Sequence, residues 1–144
     1  MDKIDPQQTI FYSIEKAIKT YRQYAQKNLS ARLPGITVDQ LLILSLLEVN
    51  PEMAQKDLAS WLFKDHASIT RMIELLVKNE YLSRAVNPQD RRKFKLNISD
   101  KGHDTLQELK PIILNNRQDA LAGISEKEIK ELFITLNKII NNCQ

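Results

Sequence analysis

Two groups of side chains in this sequence suit recognition of another molecule rather than the breaking of bonds. One is Ala67, Ser68, Thr70 and Arg71, small or hydroxylated residues closed by an arginine within five positions. The other is Arg84, Arg91, Arg92, Lys93 and Lys95, five cations within twelve positions against one carboxylate, Asp90. Small side chains let a backbone approach a base edge closely, and a guanidinium reaches further to donate paired hydrogen bonds. Lysines suit phosphates, which position a protein without specifying sequence.

Bond-making chemistry finds little support. The glycines are Gly35, Gly102 and Gly123, too few and too scattered for a phosphate-cradling loop, and no Gly-x-Ser-x-Gly turn occurs. His66 and His103 stand apart without cysteines or carboxylates at ligand spacing, and Cys143 is alone beside neutral neighbours. The expectation is a non-enzyme with no cofactor and no metal.

The first group must be carried by a helix over 65–78. Asp65 is a good N-cap, and Ile69, Met72, Ile73 and Leu76 form one buried stripe. At roughly 100° per residue the opposite face holds Ala67, Arg71, Glu74 and Lys78, with Ser68 and Thr70 flanking it and His66 nearer the buried side. Alone, such a face reads more simply as a solvated one. The neighbours on each side change that. A short helix over 55–62 precedes it across Phe63-Lys64, the helix-turn-helix arrangement. Tyr81 to Val86 reads as a strand, Asn87 to Arg92 as a hairpin tip, and Phe94, Leu96 and Ile98 alternate with polar residues in a second strand. The cation-rich group therefore becomes a prong beside the helix pair, a winged helix.

The remaining chain supplies flanking helices. Asp5-Pro6 reads as the start of the first, whose apolar stripe runs Ile10, Ile14, Ala17, Ile18, Tyr21 and Ala25. Thr37 with Gln40 signals a capping box for the second, which is apolar almost all round and so expected at the centre. Ser99-Asp100 opens a long helix through Pro111, with Gly123 ending it, and Ser125 with Glu128 opens a last amphipathic one. The ends either bury one another or form a dimer interface, and periodicity alone leaves that even. At 144 residues, 42% hydrophobic, net charge +3 and a pI near 9.0, the chain has enough for a real core and is mildly basic. Its longest apolar run, 41–49, is too short to span a membrane, and a soluble cytoplasmic protein is expected.

Leu58-Ala59, Asp65 to Arg71, Tyr81-Leu82-Ser83-Arg84 and above all Asp90-Arg91-Arg92 ahead of Leu96-Asn97-Ile98-Ser99-Asp100-Lys101-Gly102 resemble the MarR-type (multiple-antibiotic-resistance regulator) transcription factors. The resemblance covers nearly the whole chain. It departs where relatives often carry glycine, at Phe63 and Glu80, for which Asn79 offers a left-handed cap. It implies a mainly α fold with a small β-hairpin, a winged helix-turn-helix core over 35–99 flanked by dimerisation helices over 1–34 and 100–144. It further implies a homodimeric regulator, a repressor in the first instance, on pseudo-palindromic double-stranded DNA. Ser68, Thr70 and Arg71 would read bases past Ala67. Arg91 would enter the minor groove with Asp90 positioning it and Arg92 in support, while Lys93 and Lys95 touch phosphates. Phe11, Tyr12, Tyr21 and Tyr24 could line a cavity for a small aromatic or amphipathic effector, although they are more simply core and dimer packing. The rival from another class is a winged-helix module that docks proteins and binds no operator. The cationic wing argues against it.

Overall fold

The computed structural model describes residues 2–144, with the side chains of Asn87, Arg91, Arg92 and Lys93 outside the described set. The elements are α1 (Ile10–Arg32), α2 (Val38–Val49), α3 (Gln55–Trp61), α4 (His66–Lys78), β1 (Leu82–Asn87), β2 (Asp90–Ile98), α5 (Asp100–Ala120) and α6 (Glu126–Cys143). The expected mainly α architecture with one hairpin is what forms.

Local capping sets most boundaries. Asp5 accepts from the Gln7 N–H and Pro6 follows it, but this yields only a 3₁₀ turn over Pro6–Gln8. Thr9 then takes extended backbone and its hydroxyl accepts from the Tyr12 N–H, so the long helix starts at Ile10 rather than at Asp5-Pro6. The Thr37 and Gln40 side chains cap each other's backbone at 3.1 and 3.0 Å as the sequence signals. Ala54 cannot cap α3 with its side chain, yet Asp57 Oδ2 accepts from its N–H at 3.0 Å and supplies half of a capping box.

α2 is the central element, with Leu41, Ile43, Leu44 and Leu47 buried between α1, α4, α5 and β2. Ile69, Ile73 and Leu76 of α4 are fully buried against it and Met72 is half-buried, as the stripe requires. Leu58, Leu82 and Leu96 close the same cluster, as do Leu29 of α1 and Leu106 and Leu109 of α5. The strands pair antiparallel from Leu82 opposite Ile98 to Val86 opposite Phe94, after which the register shifts and Asn87 meets Asp90. The reversal therefore narrows to Pro88-Gln89, and the tip read over 87–92 is largely strand.

Two non-glycine residues have left-handed backbone, Phe63 at φ 55° and Glu80 at φ 65°. The Lys64 N–H reaches back to the Ala59 carbonyl at 3.0 Å, and the Tyr81 N–H to the Leu76 carbonyl at 2.9 Å. These are the six-to-one bonds of Schellman endings, and they place the left-handed residue one before the donor. Asn79 accordingly stays right-handed (φ −87°, ψ 10°), contrary to the sequence reading, and Glu80 takes the strained position. Beyond it, the Ser99 N–H donates to the Tyr81 carbonyl at 3.1 Å, while the Ser99 hydroxyl donates to the Glu80 carbonyl at 2.5 Å with the Tyr81 oxygen 3.1 Å away. Lys101 Nζ donates to the Asn79 carbonyl at 2.7 Å and lies 4.5 Å from the centre of the Tyr81 ring. Gly102 sits so close that a Cβ there would collide with the Tyr81 carbonyl and stand 2.6 Å from Ile98 Cγ2.

Calorimetry on two variants separates these effects. Glu80→Gly relieves a left-handed strain of about 1 kcal/mol and raises the melting midpoint. Gly102→Ala forces backbone apart and costs about 1–3 kcal/mol. A third expectation concerns acid. Asp65 Oδ1 accepts from the Ser68 N–H at 2.7 Å and Oδ2 from the Ser68 hydroxyl at 3.1 Å, and these bonds hold its carboxyl below the ordinary 3.8. A depressed carboxyl contributes stability that is complete above 3.8 and is lost as pH falls through its folded value. Asp65→Asn should therefore lose less stability than the parent chain in acid titrations followed by circular dichroism, and an identical acid limb would contradict this.

Candidate nucleic-acid interface

The α3–α4 pair presents the first two turns of α4 to the outside. Ala67 and Arg71 are exposed, as are Glu74 and Lys78, so the outer face read from the sequence is the outer face of the structure. Asp65, Ser68 and Arg71 form a chain along its edge. The Ser68 hydroxyl donates to Asp65, and Arg71 Nη2 donates to Ser68 Oγ at 3.4 Å. The Arg71 charge is a further cause of the lowered Asp65 pKa.

Thr70 stands differently. It is half-buried, its hydroxyl donates to the His66 carbonyl at 2.9 Å, and it accepts from Gln55 Nε2 at 2.6 Å. Those bonds turn it toward α3 rather than outward. His66, assigned nearer the buried side, is exposed, because it is the first residue of α4; Gln55 Nε2 lies 3.5 Å from its ring in a cleft shared with Lys56, Arg84 and Phe94. Gln55 was not among the residues singled out from the sequence. An amide at the first position of a short helix carries no pattern that distinguishes it from any solvated glutamine.

On the hairpin, the Arg84 guanidinium lies 5.8 Å from the centre of the Phe94 ring, an arrangement that holds a cation over an aromatic face. Lys95 pairs with Glu52 at 3.1 Å, both exposed, an interaction too weak to hold it from a phosphate. Asp90 is half-buried at the first position of β2. Arg91 and Arg92, expected at the wing tip, belong to β2 together with Lys93, and the side chains of all three lie outside the described residues.

None of the cavities described is lined by all four aromatics assigned to an effector cavity. Tyr21 lines a cavity of about 270 Å³ between α1, α2 and α5, with Ile18, Leu41, Ile112 and Ile113 supplying apolar wall and Arg22 and Arg117 the charge. Tyr21 and Tyr24 line a more open groove beside Asp119. The Tyr24 hydroxyl donates to Asp119 Oδ2 at 2.8 Å, and that bond raises its pKa above 10.0. Tyr12 lines a separate surface groove with Lys16 and Lys19. Phe11 is 62% exposed and lines none of the grooves described. The charge on the more enclosed cavity was missed, since Arg22 and Arg117 meet only through folding. Arg22 also pairs with Asp39, which lies 3.6 Å from Lys64, the residue before the α4 cap. Among the described residues no group of three metal-ligating side chains converges, and no helix is long and apolar enough to cross a membrane.

The comparisons agree with this geometry. The MarR family model matches residues 36–94, the stretch from the second helix through most of the wing. HTH-type transcriptional regulator BilQ of Clostridioides difficile is 26% identical over 132 residues, covering 92% of this chain and 88% of that protein. The uncharacterised HTH-type regulator YkoM of Bacillus subtilis is 26% identical over 133 residues, covering 87% and 86%. In fold, the S. aureus MepR–DNA complex superposes with a TM-score of 0.83 at 20% identity over 97% of this chain and 100% of that one. BpsR of Bordetella bronchiseptica, whose DNA binding is regulated by 6-hydroxynicotinic acid, gives 0.84 at 19% identity over 96% and 97%. The chain thus matches the MarR family model over its helix-turn-helix and most of its wing, and shares the fold of these solved structures over nearly its whole length.

Proposed function

We propose that the chain is a sequence-specific regulator, a repressor in the first instance, that binds a pseudo-palindromic operator as a homodimer in the cytoplasm. One observation carries the dimer. α6 buries none of its residues, and Leu132, Phe133, Ile134 and Ile140 along it are exposed, as are Ile10, Phe11 and Ile18 on α1. Exposed apolar area on this scale is stabilised by burial at about 25 cal/mol per Å², and a second copy offers the same surface in return. On this reading, 1–34 and 100–144 are the dimerising parts and 35–99 the DNA-reading core, although Leu29, Leu106 and Leu109 tie all three into one hydrophobic cluster.

Two copies of α4 then enter successive major grooves about 34 Å apart. Ala67 permits close approach, Ser68 and Arg71 read bases, and Thr70, held by Gln55, fixes how α4 is seated on α3. The resemblance to the family supports Arg91 in the minor groove, with Asp90 positioning it and Arg92 supporting it. Lys93 and Lys95 contact phosphates. The cavity, with Arg117 and the Asp39-paired Arg22 among apolar side chains, suits a small aromatic or amphipathic effector. BpsR, regulated by an aromatic acid, supports that class by likeness of fold.

The test is a titration with duplex DNA flanking the protein's own gene, against scrambled competitor at two salt concentrations, with the oligomeric state followed by sedimentation. One dimer per site, resistant to scrambled DNA, is expected. Phe133→Glu should shift the protein toward monomer and weaken operator binding. Arg71→Ala should relax base preference, whereas Lys95→Ala should weaken all sequences alike and flatten the salt slope by about one unit. Equal loss on every sequence for Arg71→Ala would remove it from the base readers.

A further inference from the structure

A serine hydroxyl can either donate to or accept from a base edge, and this structure commits the one at Ser68. An ionised carboxylate has acceptor sites only, so the bond between Ser68 Oγ and Asp65 Oδ2 at 3.1 Å is made with the serine proton. Arg71, which has no acceptor, donates to the same oxygen from the other side at 3.4 Å. The hydroxyl proton is thus turned inward toward the cap, and what Ser68 offers outward is a lone pair. Asp65 Oδ1 meanwhile holds the Ser68 N–H at 2.7 Å, so the residue is fixed through both backbone and side chain.

We infer that Asp65 is a specificity-determining positioning residue: by holding the Ser68 proton it makes Ser68 an acceptor that selects a base bearing an exocyclic amino group, adenine or cytosine. In the major groove those two bases donate from N6 and N4, whereas guanine and thymine present keto oxygens that an acceptor cannot bond. This inference rests on α4 being the base-reading helix. It also assigns α4 two complementary readers one turn apart, Arg71 donating and Ser68 accepting.

Asp65→Asn inverts the polarity while keeping the fold, since asparagine caps helices as well as aspartate does. The amide oxygen retains the Ser68 N–H, and its NH₂ group donates to Ser68 Oγ, which must then turn its own proton outward. In selection from a randomised duplex pool, the parent chain should prefer adenine or cytosine at one position of each half-site by on the order of tenfold. Ser68→Ala should lose preference at that position alone, and Asp65→Asn should shift it to guanine or thymine. As a second measurement, replacing the selected adenine by purine, or cytosine by 2-pyrimidinone, removes only the amino group. It should weaken the parent chain by on the order of tenfold and leave Ser68→Ala unaffected. Retention of the parent preference in Asp65→Asn, or equal sensitivity of the parent chain and Ser68→Ala to the missing amino group, would overturn the inference and leave the regulator reading standing. Failure to select any duplex would overturn both.

Discussion

The carbonyl oxygen of Tyr81 is the point at which α4, the hairpin and the long α5 helix are joined. It accepts from the Ser99 N–H, and it occupies the space a side chain at residue 102 would need. Its own N–H closes the end of α4 onto the Leu76 carbonyl. One residue therefore sets where α4 stops, where β1 departs and how α5 leaves the sheet. Lys101 completes the junction by donating to the Asn79 carbonyl, an orphan of the α4 terminus, where a cation also meets the negative end of the helix. This accounts physically for a serine, lysine and glycine at 99, 101 and 102.

α4 hangs from that junction and divides its polar residues between two jobs. Thr70 and Gln55 face each other and tie α4 to α3 through the bond from Gln55 Nε2 to the Thr70 hydroxyl. Ser68 and Arg71 lie on the open edge and are ordered in advance by Asp65. A side chain held in place before binding loses less conformational entropy on contact. The turn leading into this cap is itself held, because Lys64 faces Asp39, which Arg22 pairs from α1. The cavity lined by Arg22 and the start of α4 are thus two ends of one run of alternating charge.

Much of this was legible from residue order. The α4 stripe, the Thr37–Gln40 and Ser125–Glu128 boxes, the alternation of β2 and the central place of α2 each follow from a period or a cap that needs no distant partner. What escaped needed one. Thr70 looks like a flank residue by angle, and only the position of Gln55 on α3 turns its hydroxyl inward. His66 was misplaced because the helical angle was carried to the first residue of α4, where no preceding turn covers the side chain. Glycine preference pointed away from Phe63 and Glu80 as left-handed positions, and the six-to-one bonds overrode it. Thr9 displaced the start of α1 because two adjacent caps compete and local pattern does not rank them. The grouping of Phe11, Tyr12, Tyr21 and Tyr24 assumed one face where a helix distributes them over several.

The Tyr81 junction also has a meaning in terms of chain closure. Its Ser99–Tyr81 bond closes a loop of 18 residues, whereas the Tyr24–Asp119 bond that holds α1 to α5 closes one of 95. Loop entropy grows with the logarithm of length, so the shorter closure is favoured by about 1.5 kcal/mol before any contact is counted. α4, the hairpin and the start of α5 can therefore assemble as a local unit before the longer closure of α1 onto α5 is made.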